Sequence, residues 1–189
     1  MKLIGEGEFT RAYLRPDGKV LLKSICPIKE CMSYGWFPES RLFPKLEHID
    51  CDDHSKFYLT EYYPKVSSLK DSLNEKHWAM YKELQKLPKG FGVYKYDKLD
   101  FWRETFPTLK NKRLRDTMME ALDACSNYGT SVCFEISPRN VATKNGKLIL
   151  LDCFFQAGAK SLDHTFYRRQ ERMKKNKISL DNLKIDAIV

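Results

Sequence analysis

The sequence predicts an α+β fold in which a small N-terminal antiparallel sheet is followed by a mainly helical part. Residues 1–25 are rich in turn and strand signals. From Leu69 onward, apolar residues instead recur at helical spacing. A length of 189 residues suits one domain or two lobes that share a cleft. Because the composition shifts just before Leu69, we predict a first lobe over residues 1–63, a second over residues 64–165 and a basic helix or tail over residues 166–189.

The first lobe is predicted to contain a hairpin, a short helix and a second pair of strands. Pro16–Lys19 has the composition of a turn and leads into a strand over residues 19–24. Pro27 is favoured in the first turn of a helix, so we predict a helix over residues 27–36. The other predicted elements are an irregular link at residues 37–45 and strands at residues 47–50 and 57–63 joined by a polar turn.

Helical periodicity dominates the second lobe. We predict one helix over residues 69–87 and a strongly amphipathic one over residues 109–127. The aromatic stretch between them, residues 91–108, is predicted to be loop-like. The remaining predicted elements are strands at residues 132–134, 141–143 and 147–151 and a last helix at about residues 163–175.

Charge and cysteine usage limit the classes of protein that the chain fits. The net charge is +8, and six Lys and Arg residues crowd residues 168–177. This balance permits an acidic partner, although a solvated basic helix is the more common interpretation. The six cysteines show no C-x-x-C pair and the four histidines no ligand spacing. No signal sequence or membrane-spanning run is evident. We therefore expect reduced thiols and a cytoplasmic protein without a membrane partner.

Glu135, Asn140 and Asp152 carry the strongest chemical signal. The turn Asn145-Gly146 should join two strands and bring Asn140 and Asp152 to one end of a hairpin. Amide and carboxylate oxygens are the ligands that Mg²⁺ prefers. Glu135 could accept a proton from an attacking hydroxyl group. The pattern predicts phosphoryl transfer, although a plain hairpin with polar ends has the same residues.

Glycines near the N-terminus suggest where phosphates could lie. Gly5 and Gly7 fall in a predicted strand–turn–strand, where backbone N–H groups could approach phosphate oxygens closely. Phe9 would lie at the tip of this loop as a lid. The same pattern also occurs in ordinary turns.

Lys23 ends a short apolar strand after the glycine loop. A lysine at this point can pair with α- and β-phosphates. A carboxylate should orient it, and we predict Glu30, with Glu39 as the alternative.

The order of these motifs resembles the protein-kinase-like fold, and it is most similar to the small, divergent Ser/Thr protein kinases of lytic bacteriophages. The resemblance spans about residues 3–160 and implies a reduced two-lobed fold with a truncated helical C-terminal lobe. It implies ATP as donor, Mg²⁺ on Asn140 and Asp152, and Ser or Thr of a protein as acceptor. It also implies a hinge in which the backbone of Glu61 and Tyr62 meets adenine.

The chain departs from the family pattern at several positions. Glu135 stands where the family has aspartate, Cys133 stands where it has histidine, and only 37 residues follow Asp152. A catalytically weak or dead pseudokinase that binds a protein is therefore the first alternative to an active kinase. A small-molecule kinase is the second, although the short C-terminal part disfavours it.

The expected partner is a protein, and it could be acidic. If the chain is phage-encoded, the partner would be a host protein and the chain would act in the host cytoplasm. A nucleic-acid-binding module that uses the basic tail is a further alternative. Nucleic acid is less favoured as a partner, because the tail lacks aromatic platforms for bases.

Overall fold

The N-terminal part of the chain forms a five-stranded antiparallel sheet, which confirms the predicted α+β class and the predicted hairpins. The computed structural model describes residues 1–7, 9–88 and 98–156. The strands of the sheet are β1 (Lys2–Glu6), β2 (Thr10–Leu14), β3 (Val20–Ser24), β4 (Glu47–Cys51) and β5 (Lys56–Thr60). Their order across the sheet is β1-β2-β3-β5-β4.

Register assigns the residues of β3 to two faces of this sheet. Gly18, with a φ of 79° in the turn before β3, adopts a conformation that favours glycine. Lys23 lies opposite Phe57, and Ser24 lies opposite Lys56. Side chains alternate along a strand, and directly opposed residues share a face. Lys23 and Phe57 therefore point to one face, and Ser24 and Lys56 to the other.

A short helix, α1 (Pro27–Ser33), covers the Ser24 face of the sheet. Glu30 of α1 forms an ion pair with Lys56. Burial raises the pKa of Tyr58, which shares this face, and the nearby charges of Glu30 and Cys26 act in the same direction. The helix begins at Pro27 as predicted but ends three residues early, because Gly35 has a φ of 74°.

The described residues between 69 and 126 contain four further helices. They are α2 (Leu69–Ser72), α3 (Glu75–Gln85), α4 (Lys98–Thr105) and α5 (Lys112–Ser126), with a 3₁₀ turn at Phe106–Thr108. The single helix predicted over residues 69–87 is wrong, because Leu73 is extended and divides it. Asn74 then caps α3 by accepting the N–H of His77 at 3.0 Å.

Helix α4 corrects the prediction of a loop over residues 91–108, of which residues 91–97 lie outside the described residues. Trp102 is almost fully buried, with its ring centroid 5.4 Å from that of Phe134. Phe106 packs on the same ring at 5.3 Å. Aromatic burial of this kind contributes strongly to stability. Tertiary packing therefore stabilises a helix whose own sequence pattern is weak.

Helix α5 confirms the strongest helix prediction. Asn111 caps it by accepting the N–H of Leu114 at 3.0 Å. Every residue of the predicted apolar face is buried: Leu114, Met118, Ala121, Leu122 and Cys125.

Within residues 127–156, four short strands follow α5 and form two separate pairs. They are β6 (Val132–Phe134), β7 (Val141–Lys144), β8 (Lys147–Leu150) and β9 (Phe154–Gln156). Strand β7 pairs with β8 in the predicted hairpin. Strand β9 was not predicted, and it pairs with β6.

The described elements all belong to one compact unit, Met1–Ala157. The boundary predicted between residues 63 and 64 falls inside it, in the link from β5 to α2. The predicted last helix and the basic tail lie outside the described residues. Within the described part of the chain, the helices are too short or too polar to cross a bilayer.

His77 connects α3 to the β7–β8 hairpin and should make stability depend on pH. Its Nδ1 accepts the N–H of Leu148 at 3.2 Å, which requires that nitrogen to be unprotonated. Burial lowers the pKa of His77, and the charges of Lys76, Lys147 and Arg113 lower it further. The unfolded chain thus binds the proton more readily, so stability should be greatest above about pH 6.5 and fall below it.

We expect His77→Asn to flatten the pH dependence of stability between pH 7 and pH 5, because the amide oxygen can accept the same N–H without titrating. The slope lost is at most about 1.4 kcal/mol per pH unit, the contribution of one proton. Urea unfolding at several pH values measures it. Replacing the exposed His54 with Asn is the matched control and should leave the slope unchanged. If stability depends on pH as steeply in His77→Asn as in the wild type, His77 is not the source of that dependence.

Candidate active site

Backbone hydrogen bonds bring the segments of Glu135, Asn140 and Asp152 together. The carbonyl oxygen of Asn140 accepts the N–H of Leu151 at 2.8 Å and that of Asp152 at 3.4 Å. The N–H of Glu135 donates to the carbonyl of Cys153 at 2.8 Å. The three predicted residues therefore meet at one place in the fold, and each is half-buried.

The β7–β8 hairpin explains this arrangement. Asn145 and Gly146 have φ values of 51° and 73°, as a tight two-residue turn requires. Val141 lies opposite Leu150, so the residues flanking the hairpin also meet. Asn140 immediately precedes β7, and Asp152 lies two residues after the end of β8. The predicted adjacency of these two metal-ligand candidates is thus a consequence of local turn chemistry.

A lysine that the sequence did not single out contacts this cluster. Lys29 Nζ lies 2.9 Å from Asp152 Oδ1 and donates to the carbonyl of Leu151 at 2.7 Å. Lys29 is 2% exposed. The signal in the sequence is a lysine flanked by the apolar residues of α1 that also face inward: Ile28, Cys31 and Met32. An ammonium on a buried helix face requires a partner, and that partner is Asp152.

Lys23 has a different partner from the one predicted. Its Nζ lies 2.8 Å from Asp52 Oδ2 and 5.1 Å from the centroid of the Phe57 ring. Glu30 instead binds Lys56 and the hydroxyl of Tyr34. The predicted Lys23–Glu30 pair is therefore wrong. The reason is that α1 and Lys23 lie on opposite faces of the sheet.

Hydrogen bonds within the β4–β5 turn orient the carboxylate of Asp52 that pairs with Lys23. Its Oδ1 accepts the N–H groups of His54 and Ser55 in the β4–β5 turn, at 2.9 and 2.7 Å. Partial burial acts to raise the pKa of Asp52, but the hydrogen bond from Lys23 and those of the turn outweigh it and hold the pKa below its usual value. Lys23 is therefore engaged in a well-satisfied ion pair away from Asp152.

The glycine hairpin forms as predicted, but neither glycine is demanded by the backbone. A Cβ added to Gly5 would lie 3.7 Å from Ala12 Cβ, and one added to Gly7 would lie 3.6 Å from the Thr10 carbonyl oxygen. Both are ordinary contacts, and neither residue has a positive φ, unlike Gly18. An alanine at either position would therefore meet no close contact.

Phe9, the predicted lid, packs inward. Its side chain is buried, and its ring stacks on Phe155 with centroids 5.9 Å apart. Its carbonyl oxygen accepts the N–H of Ile25 at 3.0 Å and the hydroxyl of Ser24 at 3.1 Å. The tip of the glycine hairpin thus reaches β9, two residues beyond Cys153.

The predicted hinge residues lie at the end of β5. Glu61 forms an ion pair with Lys144 of β7, and the hydrogen bond from Lys144 lowers the pKa of Glu61. The Tyr62 ring is exposed. The segment that follows the sheet is therefore held beside the hairpin that carries Asn140.

The oxygen donors of the cluster fit a magnesium ion. Mg²⁺ binds one or two carboxylates together with waters and substrate phosphates, and seldom a cage made only of protein. Asp152 and Asn140 supply a carboxylate and an amide oxygen of the kind it prefers. No group of three or more His, Cys, Asp or Glu side chains within residues 1–7, 9–88 and 98–156 is placed to hold a metal.

No protein-family model matches this chain, and no curated protein matches it either.

Proposed function

We propose that this chain is a protein-kinase-like phosphotransferase that uses ATP and Mg²⁺ to phosphorylate Ser or Thr of a protein. The observation that carries the proposal is the backbone-linked cluster of Glu135, Asn140 and Asp152. It combines a proton acceptor with two oxygen ligands for a metal. These are the groups on which phosphoryl transfer depends most.

The arrangement of strands supports the same proposal. A five-stranded antiparallel sheet carries a helix after its third strand. Two small strand pairs, β6–β9 and β7–β8, flank the catalytic segment. This order agrees with the reduced kinase-like fold expected from the motifs. The two glycines that the backbone does not require also support a phosphate-binding hairpin.

In the proposed reaction, each residue of the cluster has one task. Glu135 accepts the proton of the acceptor hydroxyl as that oxygen attacks the γ-phosphorus, and the bond to the β–γ bridging oxygen breaks to release ADP. Asn140 and Asp152 would hold the metal through their side-chain oxygens. When bound, Mg²⁺ neutralises charge on the phosphate oxygens. The N–H groups of the hairpin that contains Gly5 and Gly7 orient the phosphates, and backbone groups of Glu61 and Tyr62 bind the base.

A second candidate function is a pseudokinase that binds a protein without catalysis. Two observations favour it: Asp152 is already paired with Lys29, and Phe9 is packed against Phe155. The recess beside Lys29 and Asp152 has a cavity volume of only ≈ 10 Å³, about the space of one water molecule and far below the roughly 300–1,000 Å³ of typical ligand pockets. In either function, an acidic protein is the proposed partner of the basic segment at residues 168–177, and nucleic acid is the second choice.

The experiment that tests the proposal measures Mg-ATP binding first and transfer second. A ligand present at a hundredfold excess over its Kd stabilises the folded state by about 2.7 kcal/mol, which should raise the Tm by roughly 5–11 °C. EDTA should abolish the shift. Absence of a shift at millimolar Mg-ATP would contradict the kinase and also the version of the pseudokinase that binds nucleotide. A shift without transfer of label from γ-labelled ATP to any protein would favour the pseudokinase.

A further inference from the structure

Lys29 is the one feature of the candidate site that the proposed function does not use. It is a lysine on the buried side of α1, and its ammonium lies against the carboxylate that we assign to the metal. Removing an ammonium from water is costly unless it is paired and hydrogen-bonded. A methionine or leucine would fill the same space without that cost. The charge therefore calls for a function beyond packing.

The described contacts of Lys29 account for two of the three donors of its ammonium. An ammonium has three N–H donors. Among the described residues, two acceptors lie within bonding distance, Asp152 Oδ1 and the Leu151 carbonyl oxygen. The side chain of Asp152 is 37% exposed, so Nζ lies immediately behind a group that solvent reaches. A phosphate oxygen that approaches Asp152 through a shared metal would come within reach of the remaining N–H.

The strand lysine is poorly placed for the same task. Lys23 points to the face of the sheet opposite α1, and it is held by Asp52 at 2.8 Å. To contact Asp152 it would have to leave this pair. Lys29 needs no such rearrangement.

We propose that Lys29 of α1, and not Lys23 of β3, is the cation that binds the nucleotide phosphates. The inference rests on the proposed function and names the residue on which phosphate recognition depends. Lys29 keeps Asp152 oriented in the ligand-free protein and contacts phosphate oxygen in the complex. Helix α1 thereby couples its own position to the presence of nucleotide.

The first test uses the unaltered protein and an acyl phosphate of ATP. The ε-amine of a lysine beside the phosphates attacks the acyl carbonyl, forms an amide and releases ATP, while its proton passes to solvent. Peptide mapping should find the amide on Lys29. Excess ATP should prevent the labelling, and adenosine should not. Labelling of Lys23, or no ATP-protected label on Lys29 in a protein that binds ATP, overturns the inference.

The second test separates phosphate contact from a merely structural role. Calorimetry should compare adenosine with Mg-ATP for the wild type, Lys29→Met, Lys29→Arg and the matched control Lys23→Met. We expect Lys29→Met to weaken Mg-ATP binding about 10- to 100-fold, the contribution of a charged hydrogen bond, and to leave adenosine binding unchanged. Lys29→Arg should recover part of the loss, and Lys23→Met should match the wild type.

The outcomes distinguish this inference from the function on which it rests. If the wild type binds Mg-ATP and Lys23→Met alone weakens it, the proposed function stands and the inference fails. If Lys29→Met weakens adenosine and ATP equally, Lys29 acts only on the fold and the inference fails again. If the wild type does not bind Mg-ATP, the proposed function itself has failed.

Discussion

Replacing Asp152 with Asn should remove Mg²⁺-dependent ATP binding and lower phosphoryl transfer about 10²-fold or more. A metal ion at a phosphoryl group contributes several kcal/mol of transition-state stabilisation, and Asp152 is the charged ligand that would hold it. Asparagine keeps the shape and still offers an oxygen to Lys29. We therefore expect a stability loss of only about 1–3 kcal/mol, as for other hydrogen bonds to charged groups. Calorimetric titration with Mg-ATP and urea unfolding measure the two effects.

Asp52→Asn is the matched control, because it alters the other buried lysine–aspartate pair. Lys23 Nζ and Asp52 Oδ2 are 2.8 Å apart, and Lys23 lies on the face of the sheet that α1 does not cover. This variant should lose stability and retain Mg-ATP binding. Equal loss of binding in both variants would show that the effect comes from folding, and it would remove Asp152 from the metal site.

Replacing Glu135 with Gln should lower phosphoryl transfer about 10²- to 10⁴-fold while Mg-ATP binding stays intact. A positioned general base contributes a factor of this size, and the amide cannot accept the proton. The variant should fold normally, because residue 135 is held by a backbone hydrogen bond from its own N–H to the Cys153 carbonyl. The substitution does not alter that bond. Initial rates with γ-labelled ATP, alongside ATP titrations, measure the effect.

Glu135→Asp sharpens this test, since it restores the residue that kinases of this type carry. Aspartate is one methylene shorter than glutamate, so its carboxylate lies closer to the backbone. A lower rate would mean that the site is built around glutamate. A higher rate would mean that the present chain is a weakened or regulatory form. Transfer that is unchanged in Glu135→Gln would show that another group accepts the proton.

Features that depend on neighbours in the sequence were predictable. The Asn145-Gly146 turn defines the β7–β8 hairpin and with it the meeting of Asn140 and Asp152. The apolar spacing of residues 109–127 defines the buried face of α5. In each case the information lies within a few residues, because turn dihedrals and helical periodicity are local properties.

Features that depend on distant residues were not predictable. Helix α4 exists because Trp102 and Phe106 pack on Phe134, which is far along the chain. Strand β9 is too short to show a pattern and is defined by its pairing with β6. Neither element carries a strong local signal, so sequence periodicity missed both.

The sequence by itself determined the α+β fold class, most of the element boundaries and the meeting of the candidate residues Glu135, Asn140 and Asp152. Only the tertiary structure decided which lysine joins that cluster. In a strand, a shift of one residue reverses the face to which a side chain points, and the face that α1 covers is chosen by packing across the whole sheet. That choice turned Lys23 toward Asp52 and brought Lys29 to Asp152.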